Sequence, residues 1–353
     1  MSLPLAKPLI HGVSVSTDTF IRAHYAEILY QLAVDKGCSG DDLLNTAGLP
    51  PRLLRDPDNH LRLDEFERLV RAALDMTGDP ALGLHFGERL KFTTHGALSQ
   101  AAVSSANIEE ALQLLIKYYK IRFSSIDLRF FIEGEDAVIE LDELVGLGDL
   151  RPFLIEALFV SVMDVNSLLF GLKLLYGGSC RISYPEPAYG DEYRRHFYDA
   201  LTFDTGVNQL RFRKDNLALP MALANPVAKR LAEQQCEEEL RSLGARESIL
   251  IRVRRLLENS GDTLPTMETV AQRLFTTPRT LRRQLQQHDT SFQNLLAEVR
   301  LTRAQRMLRQ GRRSVDEIAQ ALGYTDPSNF GRAFRKWTGL SPSAYRAQNG
   351  PAD

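Results

Sequence analysis

The sequence predicts an α+β N-terminal domain followed by an all-α C-terminal domain with two helix-turn-helix motifs joined by a connecting helix. Three observations carry that prediction. Residues 314–345 read as two short amphipathic helices around a tight turn, and residues 266–285 repeat the pattern. Between the copies runs one longer stretch of helical apolar spacing, 292–308. Ahead of both, helical periodicity gives way after Tyr119 to short alternating runs parted by glycines, which is how a small sheet reads.

A chain of 353 residues has room for two or three domains, and 44% hydrophobic with 25% charged residues is ordinary globular composition. No stretch reaches the roughly 18–20 apolar residues of a membrane span. The longest candidate, 153–175, carries Glu156, Asp164, Asn166 and Lys173. The first 16 residues hold one lysine and no cleavable signal pattern, so a cytoplasmic location and no membrane partner are expected. Cys38, Cys180 and Cys236 form neither a disulfide framework nor a zinc spacing, which suits a reducing compartment.

Residues 1–18 read as an irregular lead. Phe20 to Asp35 predicts one helix with a broad apolar face, ended by Gly37. Ser39 suits the cap of a short helix through Leu44, and Gly48 with Pro50 and Pro51 makes a turn. Leu63, Phe66, Val70 and Leu74 give 63–76 an apolar stripe against Arg68, Arg71 and Asp75. Asp79 and Pro80 open a helix through Glu88, and Asn107 caps another over 108–119. Residues 126–132 and 137–141 predict a hairpin about Gly134. Residues 152–170 return to helix, 191–198 form a short one, and 180–184, 200–203 and 209–213 read as short strands. The expected domain is a small sheet with helices on one face; its pairing order is not readable.

Asn225 and Pro226 open a helix over 227–243. Its polar centre, 233–239, reads as a linker, with Gly244 as the break. A dimer coiled coil ranks below that, because Val227, Leu231, Leu240 and Leu243 do not sustain heptads. The domains expected are therefore 1–220, a linker helix 221–244, and 245–353.

In the last copy, Val315, Ile318, Ala319 and Leu322 give the first helix its apolar face. Ser314 suits its N-cap, with Asp316 and Glu317 in the first turn. Gly323 breaks it, Asp326 caps the next helix, and Pro327 fits the first position. Phe330, Phe334 and Trp337 make that helix's buried stripe. In the earlier copy Val270, Ala271, Gln272 and Leu274 match Ile318, Ala319, Gln320 and Leu322. After the turn, Pro278, Leu281, Arg283 and Leu285 match Pro327, Phe330, Arg332 and Phe334. Leu295, Leu296, Val299, Ala304 and Leu308 are the apolar positions of the connecting helix.

Charge is divided unevenly. Residues 245–353 hold 18 Lys and Arg against 10 Asp and Glu, while the rest of the chain holds 25 against 35. A basic C-terminal third points to a polyanion as partner for that part alone, and the helix-turn-helix pattern makes double-stranded DNA the expected one. All but one of the 18 are arginine, which can pair with guanine bidentately or grip phosphate as a fork. An ordinary bundle with solvated basic faces explains neither the repeat nor the charge.

Residues 247–346 resemble the DNA-binding domain of the AraC/XylS family of bacterial transcription regulators. The match lies in Ile318, Ala319, Gly323, Tyr324, Pro327, Ser328, Phe330, Arg332, Phe334, Lys336, Gly339, Ser341, Pro342 and Tyr345. Residues 19–220 resemble the arabinose-binding-like regulatory domain of one branch of that family. Here the match lies in Asp79, Pro80, Leu82, Gly83, Gly87, His95, Gly96, Ser104, Ser105, Glu110, Ala111 and Leu112. The branch name does not make arabinose the ligand. The resemblance implies an effector-responsive, sequence-specific DNA-binding activator that touches RNA polymerase, with a sensing or dimerising front domain and a homodimer among its partners. Repression, or a front domain that recruits protein and no small molecule, are the alternatives.

For DNA reading, Arg279, Thr280, Arg282 and Arg283 should face outward from the first recognition helix, and Ser328, Asn329 and Arg332 from the second. Arg335 and Lys336, further along, suit phosphate. No catalytic residue, cofactor or metal is expected. There is no Gly-rich phosphate loop, no Gly-x-Ser-x-Gly elbow, and no metal spacing among the seven histidines. His24 reads as a satisfied core or interface residue and His95 as part of a turn. Glu133, Glu135, Asp136 and Glu140 read as a solvated hairpin rim. Tyr118, Tyr119, Phe123, Phe130, Phe131, Phe159, Phe170, Tyr176 and Tyr184 admit an apolar or aromatic effector, but such a set is more often plain core.

Overall fold

The computed structural model describes residues 20–349, except 56–58, 124, 144–146, 171–177, 198–199, 247–248, 261–263, 289 and 312. The expected lead over 1–18 and Tyr176 lie outside the described residues, as does the side chain of Phe170. The chain forms two compact units, one of Ser14–Glu247 and one built on Ser248–Asp353.

The first unit opens with β1 (Phe20–Arg22), α1 (Ala23–Asp35), α2 (Gly40–Ala47), α3 (Arg52–Arg55), β2 (His60–Arg62), α4 (Leu63–Thr77), α5 (Leu82–Arg89), α6 (Ala97–Val103) and α7 (Ile108–Tyr118). There follow β3 (Ile126–Glu133), β4 (Asp136–Glu143), α8 (Leu150–Phe170), β5 (Ser179–Arg181), α9 (Gly190–Phe197), β6 (Leu201–Thr202), β7 (Gln209–Arg213) and α10 (Pro226–Arg246). The helix expected from Phe20 starts three residues later. Ile21 is buried between half-exposed neighbours, a period of two, and Phe20–Arg22 pairs antiparallel with His60–Arg62. Caps at Ser39 and Asn107 form as the side chains predict, each accepting from a backbone N–H in the first turn.

The main sheet has the order β3-β4-β7-β5-β6, antiparallel except for β5 and β6. Alternation gives it two different faces. Leu128, Ile139, Leu210 and Phe212 are buried on one. The other carries Arg129, Glu140, Gln209 and Arg211. The hairpin acids are therefore not all a solvated rim. Glu140 is 3% exposed and pairs with Arg129 and Gln209. Glu133 and Asp136 pair with buried Arg211 at 2.7 and 3.1 Å. A carboxylate in such a place needs the partner it has.

Two glycines of the sequence pattern owe their place to α8. A Cβ at Gly83 would lie 2.8 Å from the Phe153 Cα, and one at Gly87 would lie 2.7 Å from the Val160 Cβ. Buried Glu156 on α8 sits at this contact and accepts from the hydroxyls of Tyr189 at 2.7 Å and Tyr193 at 2.5 Å.

α10 differs from the expected linker. It passes through Gly244 without a break, and it buries Ala232 and Cys236 against Ala97, Leu98, Ala101 and Tyr118. Its acidic centre is a docking face. Glu237 accepts from Tyr118 and Lys117 at 2.6 and 2.7 Å, and Glu239 meets Arg22 and Arg122 at 2.7 and 3.1 Å.

The second unit contains α11 (Ile249–Glu258), α12 (Met267–Arg273), α13 (Pro278–Gln286), α14 (Phe292–Gln310), α15 (Val315–Ala321), α16 (Pro327–Thr338) and α17 (Pro342–Asn349). The connecting helix α14 serves two cores. Phe292, Leu295, Leu296 and Val299 pack with Val270, Leu281 and Leu285 of the first copy. Ala304 and Leu308 pack with Ile318, Leu322, Phe330 and Phe334 of the second.

Candidate nucleic-acid interface and effector cavity

The two helix-turn-helix copies share a backbone built from different side chains. Thr277 caps α13 by accepting from the Thr280 N–H, and Asp326 caps α16 by accepting from the Ser328 N–H. The turns before them close alike. Phe275 and Thr276 donate to the carbonyls of Gln272 and Ala271, and Gly323 and Tyr324 donate to those of Gln320 and Ala319. Phe275 thus stands where Gly323 stands, and both have positive φ, 52° and 77°. Glycine takes that conformation at no steric cost; phenylalanine does not.

With Leu281 and Leu285 buried, Arg279, Arg282 and Arg283 are exposed on α13. With Phe330 and Phe334 buried, Ser328, Asn329, Arg332, Arg335 and Lys336 are exposed on α16. Arg332 donates to the Asn329 side chain at 2.6 Å, so these two form one polar group. Thr280 departs from expectation. It is half-buried, with its hydroxyl 2.9 Å from that of Thr277, because it completes the helix cap.

Part of the basic charge counted from the sequence holds the fold. Arg300 donates to the Leu322 carbonyl at the end of α15 at 2.9 Å and stacks on Tyr324 at 4.7 Å. Buried Arg303 donates to the carbonyls of Leu257 and Glu258 at 2.8 Å. Both guanidiniums, carried on α14, close the C-terminal carbonyls of neighbouring helices, where positive charge is favoured. Arg254 pairs with Glu298. None of these three is a free DNA contact.

The first unit holds a cavity of about 140 Å³ between the apolar sheet face and α6, α7 and α8. Leu128, Ile139, Leu210 and Phe212 floor it, and Ala111, Leu112 and Phe159 are among its walls. A smaller cavity of about 50 Å³ adjoins it, sharing His95, Tyr119, Arg122 and Ser161. Tyr119, Phe159 and, in the smaller cavity, Phe123 come from the aromatic set noted in the sequence, and His95, Ala111 and Leu112 from the family pattern.

The polar wall is ordered. His95 Nδ1 lies 2.8 Å from the Tyr25 hydroxyl, and its Nε2 lies 3.1 Å from the Ser161 hydroxyl. Ser161 gives its one proton to the Leu90 carbonyl at 3.1 Å. Nε2 must therefore donate to Ser161, and Nδ1 accepts from Tyr25. Burial, with Arg122 and His24 nearby, pushes His95 down to about 4, so the imidazole is neutral at pH 7. His95, read from the sequence as a turn residue, is also a cavity wall whose hydrogen bonds are all used.

Arg122 is 4% exposed. Its Nη1 meets Glu239, but no protein group among the described residues pairs with its Nε or Nη2. The sequence had nothing to mark this arginine among the many others.

Comparison with known proteins agrees with both units. A family model described as the N-terminal arabinose-binding domain of AraC transcription regulators matches residues 37–221, and a helix-turn-helix domain model matches residues 270–348. The ornithine utilization regulator of Pseudomonas aeruginosa is 36% identical over 94% of this chain and 97% of its own length. The uncharacterized regulator Rv1395 of Mycobacterium tuberculosis is 29% identical over 90% of this chain and 94% of its own. An N-terminal domain of the first kind followed by a helix-turn-helix domain is what those matches describe, and the fold above agrees with it: the chain belongs to the AraC family of DNA-binding transcription regulators.

Proposed function

We propose that this regulator reads two successive major grooves, one with α13 and one with α16, and that a small molecule bound in the first unit controls it. The carrying observation is the pair of recognition helices with exposed arginines at equivalent positions, Arg283 and Arg332, on one rigid spine, α14. Arg279, Arg282, Arg283, Ser328, Asn329 and Arg332 contact bases in this reading, and Arg335 and Lys336 hold phosphate. Residues 1–220 sense, 245–353 bind DNA, and α10 joins them in sequence.

Activation through contact with RNA polymerase in the cytoplasm is the family expectation we adopt. Exposed apolar Val227 and Leu231, one turn apart on α10, support a homodimer. The relative's name concerns ornithine, which carries two ammonium groups. No acidic side chain lines the cavity among the described residues, so we infer a different effector here.

Footprinting on the natural operator tests the reading. Two protected boxes about 34 Å apart are expected. Inserting half a helical turn between the boxes should abolish binding. A single protected groove, or tolerance of the insertion, would leave α16 as sole reader and reduce Arg283 to a phosphate contact.

A further inference from the structure

The cavity in the first unit combines apolar walls with one buried cation that is only partly paired. Its volume, about 140 Å³, matches the roughly 150 Å³ of a dry apolar cavity that takes a benzene-sized guest. It is far below the ~300–1,000 Å³ of a cleft for a drug-sized ligand. The guest's body should therefore be a short hydrocarbon, alkyl or aromatic.

The polar lining then decides what the body carries. His95 and Ser161 are committed to each other, to Tyr25 and to Leu90. They offer a ligand neither charge nor a spare proton. Arg122 is different. Its guanidinium is buried, yet among the described residues only Nη1 is matched, by Glu239. Glu239 is itself shared with Arg22, so one carboxylate faces two guanidiniums. Arg122 lines both the larger and the adjoining cavity. A planar fork of donors with a free edge, beside apolar walls, fits a carboxylate. An alcohol would leave the charge unmet, and an amine would add a second cation to it.

We propose that this cavity binds a small apolar monocarboxylate, hydrocarbon body against the sheet face and carboxylate on the free edge of Arg122. The proposal rests on the effector-responsive reading above and names the chemical class of that effector. It also gives the ligand a route to α10. An anion on the free edge of Arg122 shares that guanidinium's charge with Glu239, which weakens the Glu239 pairing, and Glu239 lies on the helix that leads in sequence to the DNA-binding unit.

The test uses the full chain and three probes of equal length, hexanoate, 1-hexanol and hexylamine, measured by calorimetry or ligand-observed NMR. Hexanoate should bind about tenfold or more tightly than hexanol, the scale of a charge-assisted pair, and hexylamine least. Arg122→Met should remove the preference for hexanoate. Where that change leaves half-buried Glu239 paired with Arg22 alone and the chain fails to fold, Arg122→Met with Glu239→Gln removes both charges. Ala111→Phe should fill the cavity and abolish binding of hexanoate and hexanol alike. Equal affinity for the acid and the alcohol, a preference that survives loss of Arg122, or binding untouched by Ala111→Phe would each overturn the proposal. Operator affinity measured on the same samples separates the two readings. Intact DNA binding that responds to another metabolite, with no carboxylate bound, sinks the ligand class alone; absence of any effector response sinks the sensing reading.

Discussion

The two units treat charge in opposite ways. The N-terminal unit takes ionisable groups inside and matches them there: Glu156 with two tyrosines, Glu140 with Arg129, Arg211 with Glu133, and Arg122 with Glu239. The C-terminal unit buries aliphatic and aromatic stripes, spends Arg300 and Arg303 on helix ends, and leaves its recognition-helix arginines in solvent. A buried, partly matched group responds to what arrives beside it, because low dielectric makes each unmet charge costly. Exposed cations on a rigid apolar frame suit a partner that is itself a polyanion. Sensing and reading thus call for opposite placements of the same residue types.

The largest effect expected from this contrast is in packing. Phe330 and Phe334 are fully buried in the second copy's core. Phe330→Ala should cost about 3–5 kcal/mol. Calorimetry should show two transitions, with only the one belonging to the C-terminal unit moved. A shift of both would mean that the units do not melt independently.

Next is pH. Burial, only partly offset by the tyrosine hydroxyls, pushes the Glu156 carboxyl up from 4.5 to about 7. The fold therefore holds a proton that the unfolded chain releases near pH 4.5. The contribution is fully present below that pH and is lost as pH rises through 7, a fall of about 3 kcal/mol. His95 acts on the acid side. Its neutral form is favoured in the fold, so stability falls as pH drops from 6.5 towards 4. Glu156→Gln should flatten the alkaline limb of the N-terminal transition and leave the C-terminal one unchanged. A limb that persists in the variant would assign the dependence to another group.

How much of this was legible follows the same division. The C-terminal unit's periodic stripes, caps and repeat were readable because its helices obey local rules: Ser314 with Glu317, Asp326 with Pro327, Leu281 against Phe330. The charge count there misled in part, since Arg300 and Arg303 act across long sequence separations that no spacing encodes. In the N-terminal unit, Gly83 and Gly87 belong to the family pattern, but their reason lies in α8, some 70 residues on. The cavity was readable only in scattered pieces, Tyr119 and Phe159 in the aromatic set and His95, Ala111 and Leu112 in the family pattern. Its walls come from three helices and three strands, and Arg122 is special only through the neighbours it lacks.

A third effect concerns DNA. Arg283→Ala and Arg332→Ala should each cost about 1–3 kcal/mol of operator affinity and relax preference at one end of the site. Arg332 holds Asn329, so Asn329→Ala should couple to Arg332→Ala in a double-mutant cycle, whereas Arg283 should show no such coupling to Asn329. Lys336→Ala should weaken all sequences evenly and lower the salt slope by about one. Sequence preference untouched by either arginine would move base reading elsewhere on the two helices.

The smallest effect separates the two turns. Phe275 is 97% exposed and holds φ at 52°, in the place where the second copy has Gly323. A non-glycine residue in the left-handed region costs about 1–2 kcal/mol. The exposed ring gains no burial to offset it. Phe275→Gly relieves that strain but gives the unfolded chain more freedom, worth about 0.5–1 kcal/mol against the fold. The net gain should lie between about 0 and 1.5 kcal/mol, seen as a small rise in the C-terminal unit's melting temperature. Gly323→Phe, the reverse exchange, should destabilise, since it imposes the strain where none exists. If Phe275→Gly raises stability and leaves operator affinity unchanged, the strain serves nothing in DNA binding. If affinity falls while stability rises, the ring itself touches the DNA, and the first turn joins α13 as part of the reader.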